Sequence, residues 1–188
     1  MIYTTIDSPI GPLLLTGDGE ALQGLSMQGG RRPVTIGSDW QREDDAFGSA
    51  RTQLRQYFSG RRNAFELDLV LAGNPFELTV WKALQQISYG TTTSYGTLAQ
   101  RIGHPSAARA VGLANGRNPI AVIVPCHRVI GADGSLTGFG GGLERKRFLL
   151  DLEAGVLPLL PELNSGGPSS SPTGQAGATS PAAPSRAA

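Results

Sequence analysis

The chemistry open to this chain centres on five residues, Pro125-Cys126-His127-Arg128-Val129. Cys126 is the only cysteine, and His127 is one of two histidines. A thiol is a weak nucleophile until it loses its proton, which a free cysteine does near pH ~8.5. A histidine can take that proton when a carboxylate orients its ring. Cys126 therefore has two readings, a small buried apolar residue or a nucleophile. Neighbours on a strand point to opposite faces, so contact between Cys126 and His127 requires a turn or a bridging water. The carboxylate must come from elsewhere, and Glu153 is one candidate among several. A lone cysteine excludes an intramolecular disulfide framework and a multi-cysteine zinc site.

The surrounding sequence supplies the elements that must position these groups. Ile2–Ile6 alternates in polarity, residues 12–16 are apolar, and Gly17-Asp18-Gly19-Glu20 is a turn signal leading to residues 21–27, so a hairpin is expected. Residues 29–39 read as loop. Phe47, Ala50, Leu54, Tyr57 and Phe58 fall at helical spacing, giving a helix over about residues 44–58. Phe65, Leu67 and Leu69 alternate and suggest a further strand. Asn74-Pro75 with Glu77 is a capping-box start, and Val80, Trp81, Leu84 and Ile87 give that helix an apolar face ending near Tyr89-Gly90.

Two short helices come next. Ser94 can cap one with Leu98, Ala99 and Ile102 inward, and Gly103-His104-Pro105-Ser106 breaks it. Ser106 can cap the second, residues 107–114, ended by Asn115-Gly116. Short helices across a glycine-containing turn form a helix-turn-helix candidate or an ordinary helical corner. His104 in that turn suits a surface or phosphate-contacting role, and Trp81 suits the core. Residues 131–142 hold six glycines, and a final helix runs from about Leu143 to Glu153.

The chain has 188 residues and a net charge of +1, but residues 89–147 carry seven basic and two acidic side chains. A basic middle in a neutral protein fits a nucleic-acid face or clustering on a solvated surface. The Arg31-Arg32 and Arg61-Arg62 pairs read most simply as solvated surface. No membrane-length apolar run and no signal-peptide layout is present, so a cytoplasmic location is expected. From Asn164 onward the residues are mostly Ser, Pro, Gly, Ala and Thr with a single arginine and no acidic residue, a composition expected to be disordered and dispensable.

The segment from Asn118 through Pro125-Cys126-His127-Arg128 to Gly131 closely resembles the active-site motif of the O6-alkylguanine-DNA alkyltransferases. The likeness extends over Phe76–Trp81, Tyr89-Gly90, Thr93–Gly96, Ala107-Ala108-Arg109-Ala110-Val111-Gly112, Gly141–Leu143 and Lys146, and so over most of residues 75–155. Asp7-Ser8-Pro9-Ile10-Gly11-Pro12 resembles the family's opening strand and turn.

The resemblance implies an α/β (α+β) fold. A small N-terminal domain with an antiparallel sheet, ribonuclease-H-like, would cover residues 1–72. A mostly helical domain with a winged-helix-like helix-turn-helix would cover 73–163, and a disordered tail 164–188. It implies suicidal repair of O6-alkylguanine in double-stranded DNA, with no cofactor and no metal. Cys126 would accept the alkyl group, His127 would draw its proton through a water, Glu153 would orient His127, and Asn118 would brace the turn. The DNA- and base-binding residues would be Tyr95, Ala107, Ala108, Arg109, Ala110, Asn115, Arg117, Arg128, Phe139, Gly140 and Lys146. Phe139 stands where many relatives carry tyrosine, which implies an altered substrate range. The resemblance implies a monomer in the free state and leaves cooperative assembly on DNA and O4-alkylthymine activity open. Three other readings remain. A non-enzymatic binder of alkylated bases would lack the acceptor cysteine. A cysteine hydrolase would turn over without DNA. A DNA-binding regulator would do no chemistry.

Overall fold

The computed structural model describes residues 1–30 and 33–156. The expected tail therefore lies outside the described residues, as do Arg31 and Arg32. The architecture is mixed α/β, with a four-stranded sheet in the N-terminal half and helices dominating the remainder.

Strands β1 (Ile2–Ile6), β2 (Leu13–Gly17) and β3 (Leu22–Met27) form an antiparallel meander with Tyr3 opposite Thr16 and Leu15 opposite Leu25. Asp18 closes the β2–β3 turn by accepting the backbone N–H groups of Glu20 and Ala21, while Gly19 takes a positive φ. Strand β4 (Gln41–Arg42) adds in parallel to β1, so the sheet order is β3-β2-β1-β4 and the sheet is not wholly antiparallel. Two residues with no apolar alternation carry no strand signal, and β4 was not legible in the sequence.

Helix α1 (Gly48–Phe58) begins four residues after the expected start, because Phe47 sits left-handed at φ 58° and is buried in the core. The strand expected at 65–69 does not form. Its apolar side chains do pack on the core, but Gln53 of α1 accepts the Glu66 N–H and donates to the Glu66 carbonyl. Only Leu69 bridges to Leu22. A side-chain amide thus replaces a strand partner.

Helix α2 (Pro75–Gln85) carries the expected capping box, Asn74 and Glu77 each bonding the other's backbone N–H. It stops before Ile87, which is buried beyond the helix end. Strand β5 (Thr93–Ser94) precedes α3 (Tyr95–Arg101), which Ser94 caps through the Thr97 N–H. Helix α4 (Ala108–Gly116) has Ala107 at its N-cap with no side-chain bond, so the expected Ser106 cap is not made. A 3₁₀ turn at Cys126–Arg128 leads into β6 (Val129–Ile130), parallel to β5, and α5 (Leu143–Glu153) closes the described fold.

The hydrophobic core is one continuous cluster running from Ile10 to Leu152. Trp81 lies within it, 2% exposed, and donates its indole N–H to the Ala114 carbonyl at 2.9 Å, tying α2 to α4. Leu25 at the outer edge of the sheet bonds on both sides to the segment before the cysteine, Leu25 N to Pro119 O and Ala121 N to Leu25 O. The sheet edge and the Cys126 segment are thereby one hydrogen-bonded unit.

Candidate functional site

The apolar run 120–124 is a turn, not a strand. Ile123 and Val124 donate back to Ala121 and Ile120, and Val122 is held at φ 72°. A β-branched residue in the left-handed region is strained and persists only where its surroundings over-determine it. Here the determinants are the burial of Val122 and the side chain of Asn118, whose amide donates to Val124 O at 2.8 Å and whose oxygen accepts from Ile120 N at 3.1 Å. Asn118 braces this turn, and the 3₁₀ turn that follows brings Cys126, His127 and Arg128 into the interior together.

Cys126 is 4% exposed and lines a cavity of about 330 Å³ with Asn115, Arg117, Asn118, Phe139 and Gly140. Leu25 and Met27 from the sheet complete one wall. The volume is that of a small-molecule pocket, on the order of 300–1,000 Å³. Burial raises the thiol pKa, while the Asn118 side chain and the Lys146 charge pull it back. The net shift is upward, so the resting group is a thiol that needs a base.

The neighbouring His127 is fully buried. His127 Nε2 meets Glu153 Oε1 at 2.8 Å. A carboxylate only accepts, so Nε2 carries the hydrogen and Nδ1 of the neutral ring is the bare acceptor. Nδ1 is buried and has no partner among the described groups, which leaves it competent to receive a proton. Burial lowers the His127 pKa and keeps the ring neutral at rest.

Glu153 is the hub of the site. Oε1 also accepts from Tyr57 Oη at 2.7 Å and Arg128 Nη2 at 3.0 Å, and Oε2 accepts from Arg128 Nε at 2.9 Å and Gly90 N at 3.1 Å. Burial would raise its pKa, but hydrogen bonds and charge from His127 and Arg128 outweigh that and bring it down to about 2. Gly90 reaches the carboxylate from φ 71°, and a Cβ there would lie 3.1 Å from Glu153 O.

One residue read from the sequence as DNA-facing is placed otherwise. Arg128 is 7% exposed, fork-bonded to Glu153, bonded to the Ile87 carbonyl and 5.7 Å from the Tyr89 ring centre. Its guanidinium is committed inside the protein and cannot reach a phosphate, so the DNA-contact assignment is corrected. Asn115 is 2% exposed, donates to the Cys126 carbonyl at 3.3 Å and lines the cavity beside Cys126, so it stands at the pocket and not on the outer surface.

Of the other predicted positions, Arg117, Phe139 and Gly140 line the cavity, and the rest lie outside its lining. Lys146 is buried, and its Nζ donates to Val129 O at 2.6 Å and Thr137 O at 2.7 Å. It pins the glycine-rich loop to β6, and burial brings its pKa to about 8. Tyr95, half-buried, donates to the same Thr137 carbonyl at 3.3 Å. Phe139 is buried against the cavity. On α4, Arg109 and Ala110 are exposed, and Ala107 and Ala108 are partly so. Arg117 is exposed but paired with Glu77 at 2.9 Å. His104 is exposed in the α3–α4 turn with its ring edge-on to Phe76. Tyr57 carried no sequence signal for the site, because its partner lies 96 residues away, and Gly90, 63 residues from the same partner, was marked only by the family resemblance.

The fold is α/β, and its site sets a thiol opening on a cavity near a buried histidine–carboxylate pair. Residues 1–71 match the family described as 6-O-methylguanine DNA methyltransferase, ribonuclease-like domain, and residues 75–155 match its DNA binding domain. The chain is 55% identical over 156 residues to the methylated-DNA–protein-cysteine methyltransferase of Mycobacterium tuberculosis strain H37Rv, covering 83% of this chain and 94% of the relative. It is 49% identical to that of Methanosarcina acetivorans, covering 81% and 98%. The crystal structure of Mycobacterium tuberculosis OGT in complex with DNA superposes with a TM-score of 0.79 at 54% identity, covering 84% of this chain and 96% of that one. The chain belongs to the 6-O-methylguanine DNA methyltransferase family.

Proposed function

We propose that this chain is a methylated-DNA–protein-cysteine methyltransferase that removes the alkyl group from O6-alkylguanine in duplex DNA and keeps it on Cys126. The observation that carries the reading is the lone cysteine at the cavity floor with a buried proton acceptor, His127, held by Glu153. The target alkyl group is buried inside the duplex, so the base must be flipped, costing a few kcal/mol that an O6-alkylated, poorly pairing guanine reduces. Helix α4 enters the minor groove. Its short side chains at Ala107, Ala108 and Ala110 allow close approach, and Arg109, exposed in the first turn, fills the gap left in the stack.

His127 Nδ1 takes the Cys126 proton through a water, and the imidazolium is stabilised by Glu153. The thiolate attacks the alkyl carbon, the C–S bond forms, and the C–O6 bond breaks as Tyr95 gives a proton to guanine N3. Phe139 packs on the base, and the backbone at Gly140 reads its edge from a loop held by Lys146. The thioether has no route to hydrolysis here, so each molecule acts once. We assign residues 1–72 and 73–163 to the two domains, and the cytoplasm to the chain, with chromosomal DNA as its target. Among the described residues no helix is long and apolar enough to cross a membrane.

Intact-protein mass spectrometry after incubation with an O6-methylguanine duplex tests the reading. One methyl mass on Cys126, absent in Cys126→Ala, is expected. An unmodified protein would sink it.

A further inference from the structure

Tyr57 belongs to α1, in the half of the chain that carries no proposed catalytic or DNA-contacting residue. Yet its hydroxyl lies 2.7 Å from Glu153 Oε1, the same oxygen that holds His127 Nε2. The residue is fully buried, and its ring is wedged among Phe58, Phe65 and Tyr89, so the hydroxyl has a single direction to point. The charged and titratable groups around Glu153 are few. His127 and Arg128 come from the 3₁₀ turn, Tyr89 from the segment after α2, and Tyr57 from α1, while Lys146 acts on His127 from α5.

We propose that Tyr57 is a positioning residue for Cys126 reactivity, acting through Glu153 to set the orientation and basicity of His127. This deepens the function proposed above and rests on it for the identity of the base. The physical argument is competition at one oxygen. Each donor on Oε1 draws electron density from the bond to His127 and limits how strongly Glu153 stabilises the imidazolium. The phenol also fixes the carboxylate plane, so that Oε1 stays on the imidazole. A donor lost from Oε1 leaves a freer and more basic carboxylate. It therefore leaves a His127 that holds its proton to higher pH.

The test uses the full chain and iodoacetamide, a probe that needs no DNA. In that reaction Cys126 gives its proton to His127, the thiolate forms the C–S bond, iodide leaves with the C–I pair, and the proton passes to solvent. The rate of Cys126 carboxamidomethylation is followed by mass spectrometry from pH 5 to 9 in wild type and Tyr57→Phe. The acid limb of the Tyr57→Phe profile is expected to move up by about half a pH unit or more, which lowers the rate on that limb about threefold. Site-specific 3-fluorotyrosine at residue 57, a stronger donor that keeps the packing, is expected to move the limb down. It carries the test alone if Tyr57→Phe does not fold. Limbs that superimpose on wild type, whatever the rate, overturn the inference. A displaced limb with no transfer from alkylated DNA would keep the Tyr57 role and overturn the repair function.

Discussion

Glu153 illustrates how a buried anion is tolerated when every lone pair is used. Arg128 supplies two of its donors and, with His127, the charge that lowers its pKa. Removing one partner of a buried ion pair leaves an uncompensated charge, typically a loss of ~3–5 kcal/mol. Arg128→Met is therefore expected to lower the thermal midpoint sharply in calorimetry and to slow transfer, because Glu153 loses its anchor. A variant as stable as wild type would contradict the placement of Arg128 inside the protein.

The same site sets the response to acid. His127 is held below its ordinary 6.5 and Glu153 is brought from 4.5 to about 2. In both cases the unfolded chain binds the proton more readily, so stability rises with pH across these windows. The contribution of His127 is lost as pH falls below about 6.5, and that of Glu153 as pH falls from about 4.5 toward 2. Urea midpoints measured from pH 8 down to 3 are expected to fall slowly at first and steeply below about pH 4.5. In Glu153→Gln the steep phase should be shallower, with Asp18, Glu77 and Asp133 still contributing.

At the scale of elements, α2 matters through its ends as much as its apolar face. Asn74 and Glu77 satisfy each other's backbone N–H groups, and Glu77 also receives Arg117 just past the end of α4. Loss of a cap of this kind costs about 1 kcal/mol, so Asn74→Ala is expected to lower stability by that order in denaturant titration. An unchanged midpoint would mean the cap is offset by solvent. Such local devices were readable, because the bonds close within three residues. The strand expected at 65–69 was misread for the converse reason. Its apolar alternation is real and does face the core, but whether a backbone pairs with another strand depends on what lies alongside it. Here that neighbour is the Gln53 side chain of α1.

At the scale of the whole molecule, the two halves are joined by the site itself. Leu25 bonds the Cys126 segment, Leu25 and Met27 line the cavity, and Tyr57 reaches Glu153, while the hydrophobic core runs without a break. A fragment of residues 73–163 would expose the apolar surface that α1 and the sheet cover, roughly 25 cal/mol for each Å² uncovered. It is expected to lose slow amide exchange around Cys126 and to react poorly. A fragment with native protection and full transfer would show the N-terminal half to be dispensable.

The sequence by itself singled out Cys126, His127 and Asn118 as candidates and set the order of the principal elements. These rest on residue types that are rare in the chain or on contacts a few positions apart. Only the tertiary structure decided which way the charged side chains turn. Arg128 carries the look of a phosphate contact, but its position in a 3₁₀ turn aims it at Glu153, and burial makes that pairing obligatory. Tyr57 reads as one more apolar helical position until the fold sets it against a carboxylate 96 residues away. A buried polar group must find a partner, and the partner is set by three-dimensional proximity that local sequence does not encode.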